Sequence, residues 1–246
     1  MKKVLSIFLS VALCFGIFSL SAYAEDVDVE GPNNIDATEY ISPDAQLAQY
    51  LARTDVTAEQ KEAAIAKHNL GQALANGNCV TRTVHASENI LDVPWYSQTA
   101  KNYCGPASTK QTVQYINGSS DSQATIAEEL ETNASGTETN NIKNYLVSKT
   151  GYAYEVLWWW ADANAFSDMV ISDTDDDKPI IGHVIIPTKG DWLYTTTGHY
   201  LNYNGYSSSG EYFSVTDPYA DRYGDADGKY SISNDEAERV TDRIVW

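Results

Sequence analysis

The spacing of apolar positions along the chain predicts helices first and strands afterwards. Between residues 43 and 76 the apolar residues recur every three to four positions in two stretches. Ser42 and Thr57 are typical helix starts and Gly77 is a typical stop, so we predict two short helices in this region. The same spacing predicts further helices over 104–117, 122–130, 140–149 and 166–171.

After residue 151 the period of the pattern shifts towards two, which is typical of strands. Residues 152–158 alternate in this way, and 179–186 form an apolar, β-branched run that indicates a central strand. Two more strands are predicted over 199–206 and 211–216, joined by a Ser/Gly loop over 207–210. Helices followed by antiparallel strands predict an α+β domain.

Composition and charge narrow the classes of partner. The chain has 246 residues, of which 43% are hydrophobic and 11% aromatic, so it can bury a core of its own. Its formal net charge of −18 repels nucleic acid and anionic membrane surfaces. No cluster of His and Cys has the spacing of a zinc site, and no Gly-rich phosphate loop is present. We therefore expect no nucleic-acid partner, no cofactor and no metal.

Residues 1–24 have the pattern of a secretory signal peptide. Lys2 and Lys3 precede an apolar run over 4–20, and an Ala-x-Ala sequence ends at Ala24. Because the run is marginal for crossing a bilayer, we expect cleavage after Ala24 rather than a retained membrane anchor. The chain is thus predicted to be a secreted bacterial protein, extracellular or associated with the cell surface.

Residues 25–88 separate the signal peptide from a domain that we place at 89–246. An acidic, Pro-containing tether over 25–45 leads into the two predicted N-terminal helices. This segment could be a removable pro-region that inhibits the domain, or an N-terminal subdomain, and the residues do not separate the two. It also contains Cys79, and a disulfide between Cys79 and Cys104 is a further alternative.

Four residues of the domain could form a site for thiol-based acyl chemistry. Cys104 opens a predicted helix, whose N-terminal N–H groups and partial positive charge favour a thiolate. His199 opens one predicted strand and Asp217 ends the next, so neighbouring antiparallel strands could bring them into hydrogen-bond reach. Gln98, six residues before the cysteine, could donate its side-chain amide to an oxyanion. Each feature alone is common in structural roles, whereas their combination indicates a catalytic site.

Three segments resemble C39-like peptidases. They are VPWYSQTAKNYCGPASTKQTVQYI at 93–116, KPIIGHVII at 178–186 and GHYLNYNGYSSSGEYFSVTDPY at 198–219, and the resemblance covers roughly residues 90–235. It implies a papain-like fold in which the helix carrying the cysteine packs against an antiparallel sheet carrying the histidine and the aspartate. It further implies Cys104 as nucleophile, His199 as base and acid, Asp217 as the carboxylate that orients the histidine, and Gln98 in the oxyanion hole.

The activity implied by the resemblance is that of a cysteine peptidase acting on a peptide or protein through an acyl-enzyme. C39 domains that cut leader peptides are fused to membrane-spanning and ATP-hydrolysing parts, which we do not find in this sequence, so cleavage of double-glycine leaders is not implied. Two alternatives stay open: a cell-wall peptide amidase or acyltransferase that uses the same residues, and a non-catalytic peptide-binding module on a peptidase fold.

Several other residues fit structural roles better than catalytic ones. His183 lies in the middle of a predicted strand and is expected to be a core or sheet-face histidine rather than a rival base. His68 and His85 are expected at the surface, and the acidic run 173–177 in a solvated loop. At least one of the three tryptophans at 158–160 is expected to pack in the core rather than line a cleft.

Residues 221–234 are similar to a calcium loop in their spaced aspartates, at Asp221, Asp225 and Asp227. Tyr223 nevertheless stands at the expected first ligand position, and Asn234 stands where a bidentate glutamate is needed. We therefore do not predict a calcium site.

Overall fold

Helices dominate the first half of the folded chain and strands the second. The computed structural model describes residues 40–77, 88–224 and 227–246, so the predicted signal peptide, Cys79, His85 and Asp225 lie outside the described residues. The helices are α1 Pro43–Leu51, α2 Ala58–Ala75, α3 Cys104–Asn117, α4 Gln123–Glu129, α5 Thr139–Thr150, α6 Ala163–Asp175 and α7 Asn234–Val240. The strands are β1 Asn89–Ile90, β2 Val156–Leu157, β3 Ile180–Ile186, β4 Thr196–Tyr206, β5 Tyr212–Thr216, β6 Lys229–Ser233 and β7 Thr241–Val245.

Local capping signals set the ends of the first five helices. The Ser42 hydroxyl accepts the Ala45 amide at the start of α1, and Thr57 forms a capping box with Gln60 at the start of α2. Helices α3 and α5 each end at a glycine in the left-handed conformation, with φ of 72° and 75°. The bounds predicted for these five helices are confirmed to within one or two residues.

The strands form one antiparallel sheet in the order β2-β7-β3-β4-β5-β6, with β1 paired to the end of β4. The predicted strands that correspond to β3, β4 and β5 are confirmed, whereas the strand predicted over 152–158 shrinks to Val156–Leu157. The α+β class is also confirmed. Strand β7 and helix α7 were not predicted, because the segments that form them, of five and seven residues respectively, are short and rich in charged residues.

Two apolar cores lie on the two faces of this sheet. On one face α3 packs against β3 and β4 and α5 packs against β2 and β7, in a cluster that includes Val113, Ile181 and Tyr200. On the other face α6 packs against β3 and β4, around Phe166 and Leu201, and α7 packs against β3, β5 and β6. The cysteine-bearing helix therefore lies flat on the strand that carries His199, which confirms the arrangement expected of the fold.

Helices α1 and α2 pack at the end of the sheet where β7 finishes. A Cβ atom on Gly71 would lie only 2.5 Å from the ring of Trp246, so glycine is required for α2 to approach the last residue of the chain. Val184 pairs with His199 on one side and with Thr241 on the other, so β7 begins beside His199 and runs away from it. The contact between α2 and Trp246 is therefore at the opposite end of the sheet from His199.

Two surface expectations were wrong, both because α2 packs against other parts of the chain. His68, expected at the surface, is buried, and its ring nitrogens lie 2.9 Å from Glu155 and 3.0 Å from Asp44. Asp173, expected in a solvated loop, is buried in α6 and pairs with Lys67 of α2 at 2.7 Å.

No helix within the described ranges is both long enough and apolar enough to cross a bilayer.

Candidate active site

Cys104 is the first residue of α3, with its side chain fully buried. The residue before it, Tyr103, makes no side-chain cap, so no side chain at that position competes for the amides of the first turn. Pro106 stands within this first turn, where its missing N–H costs no hydrogen bond. The cysteine thus lies at the partially positive end of a 14-residue helix, an environment that stabilises a thiolate.

Hydrogen bonds between α3 and β4 fix the register of the helix on the strand. The Ser108 hydroxyl donates to the Tyr200 carbonyl at 3.0 Å, and the Thr112 hydroxyl donates to Asn202 Oδ1 at 2.7 Å. Helix α3 and strand β4 therefore run in the same direction. Because Cys104 lies one helical turn before Ser108, and His199 directly precedes Tyr200, this register places the two at the same end of the interface.

His199 and Asp217 form a buried pair. His199 Nε2 lies 2.9 Å from Asp217 Oδ1, and neither side chain has any solvent-exposed surface. Antiparallel pairing of β4 with β5, in which Asn202 lies opposite Thr216, brings Asp217 to the histidine end of the sheet. The sequence-based expectation that these strands bring the two residues into hydrogen-bond reach is confirmed. Because Nε2 faces the carboxylate, the other ring nitrogen, Nδ1, points away from Asp217.

Asp217 is held by further donors that the sequence analysis did not identify. Oδ1 also accepts the backbone amide of Tyr219 at 2.8 Å, and Oδ2 accepts the hydroxyls of Tyr194 at 2.7 Å and Tyr230 at 2.8 Å. The Trp95 indole N–H donates to the main-chain carbonyl of Asp217 at 2.8 Å. No sequence signal distinguishes these residues, since the chain has 17 tyrosines.

The surroundings of Asp217 keep its carboxyl group ionised. Burial alone would raise the pKa of Asp217, but the positive charge that His199 can carry, together with hydrogen bonds from His199, Tyr219 and Tyr194, holds that pKa below its usual value. An ionised carboxylate can orient the imidazole and stabilise it in its protonated form.

Gln98 lies beside this pair, since its backbone amide donates to the carbonyl of Pro218 at 2.9 Å. Its side-chain Nε2 donates to the carbonyls of Ala100 and Lys101 at 3.1 and 3.2 Å. An amide nitrogen has two hydrogens, so a role in an oxyanion hole requires one of them to turn from these carbonyls towards the substrate. The predicted role of Gln98 stays a prediction.

Gly105, the residue after Cys104, leaves room for a neighbouring side chain. A Cβ atom at this position would lie 2.6 Å from Thr137 Oγ1 and 2.8 Å from Thr137 Cβ. The space beside the Gly105 backbone is therefore occupied by Thr137, which packs against the first turn of α3.

His183 lies on the sheet, paired across the strands with Tyr200, and its ring makes an edge contact with the tyrosine ring. Nδ1 is 2.6 Å from Asp242 Oδ1, and burial lowers the pKa of His183 below its usual value. These contacts agree with the expected role of a sheet-face histidine.

At least one of the three tryptophans packs against the core, as expected, and two line a cavity. Trp160 packs against Phe166 in the core, whereas Trp159 is 52% exposed and Trp158 is partly buried. Trp158 and Trp159 line a cavity of about 160 Å³ together with α1, the end of α2 and Tyr40.

Comparisons with known proteins point to one family. The model described as "Peptidase_C39 like family" matches residues 90–241. Among curated proteins, none matches this chain. It is similar to the solved peptidase domain of Streptococcus ComA, a bifunctional ABC transporter involved in a quorum-sensing pathway, with 21% identity, a TM-score of 0.46, and 63% of this chain and 96% of that chain covered. It is similar to a double glycine motif protease from an AMS/PCAT transporter in complex with the leader peptide, with 16% identity, a TM-score of 0.44, and 68% of this chain and 94% of that chain covered. It is also similar to a fragment of Prevotella intermedia prointerpain A, with 14% identity, a TM-score of 0.40, and 79% of this chain and 84% of that chain covered.

Proposed function

Since this chain belongs to the Peptidase_C39 like family, we propose that it is a secreted cysteine peptidase whose catalytic residues are Cys104, His199, Asp217 and Gln98. The buried His199–Asp217 pair at 2.9 Å carries this proposal, because it lies at the end of β4 to which the α3 register brings Cys104. Secretion is supported by the signal-peptide pattern of residues 1–24.

The reaction follows from these positions. His199 Nδ1 takes the thiol proton, and the Cys104 sulfur attacks the carbonyl carbon of the peptide bond. The backbone amide of Cys104 and the Gln98 side chain donate to the oxyanion. The protonated His199 then gives its proton to the leaving amine, and a thioester remains. Water, deprotonated by His199, hydrolyses the thioester and regenerates the thiol.

Burial of the site affects how substrates reach it. Neither Cys104 nor His199 has solvent-exposed surface, so a peptide reaches the sulfur only when neighbouring groups move aside. A small alkylating reagent is therefore the better first probe of the thiol.

We expect iodoacetamide to modify Cys104 of the reduced full chain faster near neutral pH than it modifies Cys79, because a thiolate paired with an imidazolium reacts where an ordinary thiol is mostly protonated. Peptide mapping by mass spectrometry distinguishes Cys104 from Cys79. His199→Ala should slow the modification of Cys104 at least about tenfold, and Cys104→Ala and His199→Ala should each lower peptide cleavage about a thousandfold or more.

His183→Gln is the matched control, since it removes another buried imidazole that contacts an aspartate and should retain cleavage. Cleavage should be measured on unfolded proteins, on a peptide library and on peptidoglycan stem peptides. Hydrolysis of stem peptides alone would replace the peptidase proposal with a cell-wall amidase. An unreactive Cys104 together with no cleavage of any substrate would contradict both.

A further inference from the structure

We propose that Tyr194 and Tyr230 are positioning residues of this site, whose hydroxyls hold one oxygen of Asp217 so that the other oxygen stays on His199. The inference rests on the proposed function and adds to it two residues that lie on neither of the strands carrying the histidine and the aspartate. Tyr194 lies between β3 and β4, and Tyr230 lies in β6.

The hydrogen bonds around Asp217 divide between its two oxygens. Oδ1 accepts from His199 Nε2 and from the amide of Tyr219, while Oδ2 accepts from the two phenol hydroxyls at 2.7 and 2.8 Å. A carboxylate has about four lone-pair sites, so these four donors fill them. Rotation of the carboxylate about its last side-chain bond would break bonds on both oxygens at once, and the phenols therefore fix the plane in which Oδ1 meets the imidazole.

Tyr194 also touches the histidine itself. Its ring meets the His199 ring edge-on, with the centroids 5.6 Å apart and the planes at 89°. It is 2% exposed, so its hydroxyl exchanges no hydrogen bond with bulk water. One side chain thus limits both the tilt of the imidazole and the rotation of its carboxylate partner.

The phenols also affect the charge on Asp217. A protonated carboxyl group is itself a donor, and with four donors already facing it the added proton would displace one of them. Hydrogen bonds to the charged form lower a carboxyl pKa, in agreement with the lowered pKa of Asp217. Loss of one phenol should raise that pKa towards its ordinary value, so that Asp217 is neutralised at a higher pH.

The test compares Tyr194→Phe, Tyr230→Phe and the double variant with the unsubstituted full chain. Each single substitution should lower kcat about tenfold with KM unchanged, the factor that corresponds to one hydrogen bond to a charged group. The acid limb of the kcat/KM profile should move to higher pH by about one unit, and further in the double variant. The rate of Cys104 alkylation should show the same shift in its pH dependence, and this measurement requires no peptide substrate.

Tyr206→Phe is the matched control. Tyr206 is also buried and its hydroxyl also donates to a carboxylate, Asp175 Oδ1 at 2.7 Å, but it lies at the far end of β4 from His199. Tyr206→Phe should lower the melting temperature as the other two variants do, while leaving kcat and both pH profiles unchanged.

Two results would overturn the inference. If Tyr194→Phe and Tyr230→Phe change kcat and the acid limb no more than Tyr206→Phe does, the phenols are merely structural while the proposed function stands. If the unsubstituted chain neither cleaves peptides nor shows a reactive Cys104, the proposed function fails and the positioning role fails with it.

Discussion

Asp217 has no exposed surface, yet the groups around it favour its charged form. In the unfolded chain an aspartate has a pKa of about 3.9. Because the pKa of Asp217 is lower than this in the folded protein, its ionisation stabilises the fold. This contribution is complete above the unfolded pKa and is lost as the pH falls through the folded pKa.

Asp217→Asn should therefore destabilise the protein in a pH-dependent way. We expect the free energy of unfolding to fall by about 2 kcal/mol at pH 7, the value of hydrogen bonds to a charged group, and the difference from the unsubstituted protein to shrink below about pH 4. Urea unfolding at several pH values between 7 and 3 measures this. A difference that stays constant over this range would show that the charge of Asp217 does not stabilise the fold.

At the scale of elements, a buried ion pair joins α2 to α6. Lys67 Nζ lies 2.7 Å from Asp173 Oδ2 and also faces the rings of Tyr154 and Trp246. Burial lowers the pKa of Lys67 and raises that of Asp173. Both shifts have the direction that desolvation gives. An apolar pair of similar volume often replaces a buried ion pair at little cost, and we expect the same here.

We expect Lys67→Met and Asp173→Leu each to lower the free energy of unfolding by about 3 kcal/mol or more, because each leaves one buried charge without its partner. The double variant should recover most of this loss. Lys178→Met is the control, since its partner Asp176 is largely exposed and such pairs contribute about 1 kcal/mol or less. Denaturant unfolding of the four variants tests this, and additive losses in the double variant would argue against a coupled pair.

At the scale of the whole molecule, the contacts of α1 and α2 help to distinguish a pro-region from an N-terminal subdomain in residues 25–88. Their contacts reach Trp246, Asp173, Glu155 and the amide of Val156, so they cover the last residue of the chain. Inhibition of the peptidase by the N-terminal segment stays a prediction. The contacts of α2 with Trp246 favour a structural role for the two helices, since these contacts lie at the end of the sheet opposite His199.

A chain that begins at residue 89 should be much less stable than the full chain, because it exposes Trp246 and leaves Asp173 and Glu155 without their partners. Thermal unfolding and binding of a hydrophobic dye measure the loss. If this shorter chain is instead as stable as the full chain and more active, residues 25–88 are a removable pro-region.

The sequence by itself determined the helix ends, strands and turns that depend on residues close together along the chain. Capping residues and glycines set the ends of α1 to α5, since each helix end is satisfied by groups within a few positions. An apolar, β-branched run predicted β3, and the period of two predicted β4 and β5. A loop of a few residues between two strands predicted that His199 and Asp217 would meet.

Contacts between residues far apart in the sequence were decided only by the tertiary structure. Lys67 and Asp173 are 106 residues apart, and β7, at the very end of the chain, inserts between β2 and β3. Tyr194 and Tyr230 reach Asp217 from a loop and from β6, and no local pattern sets them apart from the other tyrosines. Such pairings depend on which surfaces the folded sheet brings together, because a buried polar group must find its partner wherever the packing places one.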